Sequence, residues 1–418
     1  MIKYFTIENN FFGENSPKKL LDTYGSPLYV YNEQILRRRC QDMLSLVSYP
    51  KFIPSFSTKA NSNVKLLQII KEEGLYADAM SPGEIYVLES AGFRPEEIFF
   101  IPNNVSKEEM SYAIDRGILM SADSLSQLET FGQINSGGSV ALRLNPGIGI
   151  GHHKKVITAG LDTKFGINLE DVEIAKDIIS KYNLNLVGLN QHIGSLFLDS
   201  TPFIESVKNL LDIARGFKNL QFIDFGGGFG IPYRKQSGEN PLDLKQLGTR
   251  LTSIITSWAR DYGQDILFKI EPGRYIVAES GILLGTVHSI KENGGITYIG
   301  TDIGFNTIMR PVLYDAHHDI EVYRDGNLLP SGKNDKKVTI VGNICESGDI
   351  ISKDIELPNI KLGDIIGIID AGAYGYSMAS NYNNRLRPAE VLIENGGQTS
   401  LIRRRDTLDD LLRNFTLT

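Results

Sequence analysis

The sequence predicts a (β/α)8 barrel followed by a mostly antiparallel β domain, on three observations. From Phe52 to about Arg274, eight short apolar runs alternate with amphipathic ones. The amphipathic runs space their apolar residues three and four apart and close on glycine, the period and stop signal of a helix. After about Val277 the runs become short, β-branched and separated by Gly, Asn and Asp turns. Alternating strand and helix implies parallel strands with right-handed crossovers. Eight such units over about 220 residues fit a barrel. A doubly wound open sheet competes, but it usually has fewer strands and often a GxGxxG turn, and none here is convincing.

Each element has its own reason. "NEQILRRRCQDMLSLV" is a helix before the first barrel strand, with Cys40 packed as a small apolar residue. The strands are read at 52–57, 75–80, 97–102, 117–122, 139–145, 184–192, 220–225 and 266–271. "NVKLLQIIKEEG", "SPGEIYVLESAG" and "SKEEMSYAIDRG" are intervening helices, the last two opening on serine. "GILLGTVHSI", "GITYIG", "KKVTIVG" and "DIIGIID" are strands of the second domain. The expected boundaries are 27–277 for the barrel, with 1–26 and 278–418 forming the β domain.

Bulk properties narrow the function. The chain has 418 residues, 41% hydrophobic and 22% charged, which is ordinary for a globular protein. A net charge of −7 and the lack of a basic groove argue against nucleic acid as a partner. The densest basic run, "IRRRD" at 402–406, reads as solvated surface. "MIKYFTIENN" lacks the apolar core of a secretory signal, and no stretch reaches the roughly 20 apolar residues of a membrane span. Two cysteines, Cys40 and Cys345, make no disulfide framework and suit a reducing cytoplasm. Neither lies in a CxxC pattern, and His152-His153 and His317-His318 are adjacent rather than i, i+4 pairs, so no metal site is expected.

Active-site groups of a barrel sit at the C-terminal ends of its strands. Lys59 follows the first strand, Asp78 lies in the second, Arg143 in the fifth, and His192 closes the sixth. "GGGFG" (226–230) follows the seventh and "EPGR" (271–274) the eighth. Lys59 could form a Schiff base or be a solvated charge. His192 could stack on a flat ring or be a hydrogen-bonded structural residue. Gly226, Gly227 and Gly228 could let backbone N–H groups approach a phosphate or could merely turn the chain. Glu271 could pair with a protonated heterocyclic nitrogen or with a nearby basic side chain. Taken together they describe a pyridoxal phosphate site.

The motifs also resemble a known family, the fold-type III, alanine-racemase-like pyridoxal-phosphate decarboxylases, and within it the diaminopimelate decarboxylases. "STKAN", "HIGS", "GGGFG" and "EPGRYIVA" resemble its barrel motifs. "GFNTIMRPVLY", "CESGD" and "DAGAYGYSMASNYNNRLRPAEVL" resemble its C-terminal motifs. "LNPGIGIGHHKKVITAGLDTKFGI" (144–167) and "LIRRRDTLDDLL" resemble further segments of it. Leu196, after "HIGS", stands where many members carry a polar residue or glycine.

The resemblance implies roles. Lys59 would carry pyridoxal 5'-phosphate, His192 would stack on its ring, and Glu271 would pair with its nitrogen. Asp78 and Arg143 would line the cofactor. Ser195, Gly226 to Gly228, the backbone of Glu271, Pro272, Gly273 and Arg274, and Tyr374 would hold the phosphate. Arg274, Arg310, Tyr314, Glu346 and Tyr374 would hold the substrate. Cys345 would be the proton donor and, with Glu346, would come from the second subunit of a homodimer. The implied reaction is decarboxylation of meso-2,6-diaminopimelate to L-lysine and CO2. Two arginines suit a distal carboxylate, because a guanidinium grips it bidentately. Decarboxylation of ornithine, lysine, arginine or an acyl-linked amino acid is the alternative, and Arg310 with the "CESGD" glutamate speaks against a diamine-forming enzyme. A racemase would lack "CESGD", and a non-catalytic pyridoxal phosphate carrier is usually a bare barrel.

Overall fold

The computed structural model describes residues 4–145, 150–151 and 163–416. Most of the 144–167 loop, with His152 and His153, lies outside them. The chain divides into two compact units. One holds residues 37–231 and 241–276, the other residues 1–36, 232–240 and 277–418.

The first unit is a closed parallel barrel. Its strands are Phe52–Ser57, Tyr76–Ala79, Ile98–Phe100, Leu119–Ala122, Ser139–Asn145, Asn185–Asn190, Phe222–Asp224 and Leu267–Ile270. Each pairs in parallel with the next, and the last pairs with the first through Phe268↔Phe52. The eight expected strands are therefore present, most of them a residue or two shorter at the ends. The helices start where the sequence supplies a cap. Ser81 and Ser106 each accept a hydrogen bond from the backbone N–H three residues on, and Asn63 accepts from Lys65. Such a cap contributes about 1 kcal/mol. Cys40 is fully buried in the helix Glu33–Leu44, and burial pushes its thiol pKa up, so it packs as an apolar residue.

The second unit is built on a mostly antiparallel sheet. Gly281–Asn293 is its long central strand, pairing antiparallel with Ile296–Thr301 and with Ile365–Ile368. Leu28–Asn32, inside the span expected for the barrel, belongs to this sheet. It pairs antiparallel with Gly281–Leu284 and parallel with Ala389–Ile393. Its five residues are all buried, so it is a central strand, and a short run cannot be assigned to one sheet or the other by its own periodicity. Pro232–Asn240 also belongs to this unit. Lys235 secures it, bonding the Asp370 carboxylate at 2.5 Å and the Glu279 carboxylate at 3.1 Å.

The arginine-rich run differs from its reading as solvated surface. Arg403 pairs with Glu390, which is fully buried, and Arg405 donates to the Pro27 carbonyl at 2.6 Å. A buried carboxylate requires a cation, and Arg403 supplies it.

Candidate active site

The barrel unit brings the expected strand-end residues onto its C-terminal rim. Lys59 lies in the 3-10 turn Thr58–Ala60 directly after the first strand, and it is partly buried. Its positive charge acts on Asp78, Glu84 and Glu271, stabilising their carboxylates, and on His192, disfavouring the imidazolium. The lysine is thus the cation at the middle of the rim.

Two carboxylates face it, in different surroundings. Asp78 is fully buried and Glu271 is 4% exposed. Burial pushes both pKa values up, Asp78's well above the usual range, where the neighbouring Glu271 adds to the rise. Lys59, Arg143 and Lys269 oppose the rise at Glu271, whereas Asp78 has Lys59 as its cation. Burial therefore raises both, and the cations around Glu271 favour its charged form more than Lys59 alone favours that of Asp78. Asp78 Oδ2 accepts from Ser57 Oγ at 2.8 Å. Glu271 Oε1 is buried with no hydrogen-bond partner in the protein, an unusual state for a carboxylate oxygen.

His192 lies beside that carboxylate. Its Nδ1 accepts the Gly227 N–H at 3.2 Å and is 3.6 Å from Glu271 Oε2. Burial, then Lys59 and Arg143, pull its pKa well below the usual histidine range. The ring is therefore neutral, its proton is on Nε2, and the short approach to Glu271 is not an ion pair.

The glycine run is a close-approach turn. Gly226 has φ of +74°, and a Cβ there would drive into the Gln191 carbonyl. A Cβ on Gly227 would meet the Glu271 carbonyl and lie 3.3 Å from His192 Cε1. The Gly226 N–H donates to Asp224 Oδ1 at 2.9 Å, and the Gly227 N–H to His192. Two of the three glycine amides expected to face a phosphate are thus turned inward. Nearby, Arg274 donates to Ser195 Oγ at 3.0 Å, and Gly273 sits so close to Ser57 that a Cβ would be 2.9 Å from its Cβ. Pro272 is buried between Glu271 and this turn. Leu196 adopts φ of +68°, a conformation that favours glycine.

Arg143 is held from two sides. Asp123 approaches it at 3.4 Å, and the Phe165 ring lies 4.7 Å from its guanidinium carbon. Asp123 was not anticipated, although it directly follows the fourth strand, where a rim carboxylate belongs. Asp224 ends the seventh strand, directly before the glycines.

The β unit carries the remaining expected residues. Arg310 is 2% exposed, bonds His318 Nε2 at 2.7 Å, and lies 4.5 Å over the Tyr233 ring. His318 Nδ1 donates to the Ile369 carbonyl at 2.8 Å, which fixes the tautomer that leaves Nε2 to accept. Tyr314 closes the short helix begun by Arg310 and is partly buried. Cys345 and Glu346 are exposed. The Cys345 N–H donates to Asn383 Oδ1 at 2.7 Å, and Glu346 accepts from the Tyr382 hydroxyl. Asp349, unremarked within "CESGD", pins this loop by accepting from the Phe305 and Ile344 N–H groups at 2.7 and 2.8 Å. Tyr374 is partly buried with φ of +56°. Among the described residues, no group of three His, Cys, Asp or Glu is placed to hold a metal, and no helix is long and apolar enough to cross a membrane.

Comparison with known proteins agrees with this geometry. Residues 33–278 match the family described as "Pyridoxal-dependent decarboxylase, pyridoxal binding domain". The chain is 39% identical over 404 residues to the diaminopimelate decarboxylase of Methanothermobacter thermautotrophicus, covering 94% of this chain and 92% of that one. It is 35% identical to the diaminopimelate decarboxylase of Escherichia coli, covering 98% of both chains. The crystal structure of diaminopimelate decarboxylase from Helicobacter pylori complexed with L-lysine superposes with a TM-score of 0.86 at 32% identity, covering 95% of this chain and 98% of that one. With the barrel rim and the β unit both falling within these matches, the chain belongs to the diaminopimelate decarboxylase family of pyridoxal-dependent decarboxylases.

Proposed function

We propose that this chain binds pyridoxal 5'-phosphate through Lys59 and converts meso-2,6-diaminopimelate to L-lysine and CO2. The observation that carries the cofactor reading is Glu271. A buried carboxylate oxygen without a partner, whose charged form three cations favour, suits the protonated nitrogen of a flat heterocycle. The residues around it fit the same group. His192 offers a neutral ring face, Gly226 and Gly227 clear the floor of side chains, and Ser195 and Arg274 meet a phosphate together with Gly228.

When bound, the cofactor supplies an electron sink for the carbanion left by departing CO2. The chain's own residues do the rest. Glu271 would hold the proton on the ring nitrogen, and Lys59 would hold the cofactor's aldehyde carbon through its ε-amine. Arg310, fixed by His318 and Tyr233, grips the distal carboxylate that diamine precursors lack. Cys345 delivers a proton to the carbon that lost its carboxylate, with Glu346 beside it on the same loop. In this reading both come from the partner chain of a homodimer. The product assignment is supported by the names of the relatives and by the L-lysine in the Helicobacter pylori complex. Two unpaired cysteines support a reducing, cytoplasmic setting.

The test is incubation of purified protein and cofactor with meso-diaminopimelate, L-lysine, L-ornithine and L-arginine, scoring CO2 and amine product. Turnover of meso-diaminopimelate to L-lysine is expected. Turnover confined to ornithine, lysine or arginine overturns the substrate reading.

A further inference from the structure

Lys269 is a buried cation whose charge acts on Asp224 and Glu271. It lies in the eighth barrel strand and is 7% exposed. Its register partner in the neighbouring strand is Asp224, whose Oδ2 is buried without a hydrogen-bond partner. No ion pair joins the two side chains. Among the described residues the ammonium has no hydrogen-bond or ion-pair partner. It faces aromatic rings instead, 4.7 Å from the centre of Phe222, 5.2 Å from Phe99 and 5.8 Å from Tyr76. Ring faces attract a cation, but they accept no conventional hydrogen bond from it.

Lys269 lines a cavity of about 410 Å³. Among the other lining residues, Ile98, Leu119 and Ser139 start strands, and Ile118 and Gln221 directly precede them. The cavity is thus at the N-terminal end of the barrel, opposite the Lys59 rim. Its walls are mixed: Ile98, Ile114, Ile118 and Val187 supply apolar surface, and Asn135, Ser139 and Gln221 supply additional hydrogen-bonding groups. Glu96 also lines it, but its carboxylate is exposed and pairs with Arg94 at 3.2 Å.

We propose that this cavity is a second ligand site, taking a small monocarboxylate with a short apolar chain. The carboxylate supplies the acceptor that the Lys269 ammonium lacks, and the chain lies along the Ile, Val and Phe walls. Asp224 and Glu271 act on this ammonium electrostatically but give it no hydrogen bond, so an anion that can accept one is favoured over a cation. A short apolar chain is favoured over a bare inorganic ion because Ile98, Ile114, Ile118 and Val187 also line the cavity and give an alkyl group surface to bury against.

Hexanoate is the probe, added to the cofactor-loaded full-length protein. A saturable rise in melting temperature is expected, with binding weakened about tenfold or more in Lys269→Met, the loss of one charge-assisted contact. Hexan-1-ol and hexylammonium are expected to give no comparable rise. Crystals soaked in 6-bromohexanoate provide a readout independent of any variant, with a bromine anomalous peak expected in this cavity. The proposal is overturned if hexanoate leaves the wild-type melting temperature unchanged, if hexan-1-ol matches it, if Lys269→Met binds equally well, or if bromine appears only at the opposite rim.

Discussion

His192 Nδ1 accepts the Gly227 N–H, so the imidazole beside Glu271 is a neutral ring with its proton on Nε2. This has a pH consequence of definite sign. The folded pKa is depressed, so below about pH 6.5 the unfolded chain takes up a proton that the native ring refuses. Stability contributed by this residue is present above that pH and is lost as pH falls. His192→Gln should therefore destabilise the protein at pH 7.5 and do so less at pH 5.5, the gap narrowing by about 1.4 kcal/mol. Denaturation of wild type and variant at the two pH values checks it; a constant gap means that His192 titrates normally.

Lys59 should be the attachment point of the cofactor. Borohydride reduction followed by peptide mapping should place the pyridoxyl label on Lys59, and Lys59→Ala should carry none. A label on any other lysine ends this assignment.

Arg310 is buried, so truncating it has two effects. Arg310→Ala should weaken meso-diaminopimelate binding by about 2–4 kcal/mol, through loss of a charge-assisted grip. It should also lower stability by about 1–3 kcal/mol, because His318 Nε2 loses its donor. The cofactor's absorbance should not change. An unmoved KM would remove Arg310 from the substrate site.

Asp349 should act on Cys345 through the loop rather than through the substrate. Asp349→Ala strands the Phe305 and Ile344 N–H groups and should cost about 2 kcal/mol of stability. It should reduce kcat with little effect on cofactor affinity, and Asp349→Asn should restore part of it. A variant that loses cofactor affinity as strongly as kcat would contradict a role confined to that loop.

Shared active sites can be tested by complementation. Lys59→Ala and Cys345→Ala, each inactive alone, should recover roughly a quarter of wild-type activity after dissociation and reassociation, since random pairing makes half the dimers mixed with one intact site each. A mixture that stays dead although mixed dimers form would show that both residues serve the same chain's site.

Much of this architecture was legible without coordinates, because its signals are local. Each barrel strand is a short apolar run bounded by turn residues, and each helix carries its period and its cap within about a dozen residues. Lys59, His192, the glycine run and Glu271 could be located because barrel topology puts functional groups at strand ends. The same rule points to Asp123 and Asp224, at the ends of the fourth and seventh strands.

What could not be read depends on partners distant in the chain. Leu28–Asn32 joins the antiparallel sheet because Gly281–Leu284 and Ala389–Ile393 flank it, about 250 and 360 residues away. Arg403 is drawn out of solvent by Glu390, and His318 aims Arg310 through a carbonyl at Ile369. The sequence by itself determined the strands, the helices and the residue types gathered on one rim. Only the tertiary structure decided which carboxylate has several cations around it, which glycine amides turn inward, and that Lys269 faces a cavity. A side chain's protonation and direction follow from burial and from the charges packed around it, and those neighbours come from other strands.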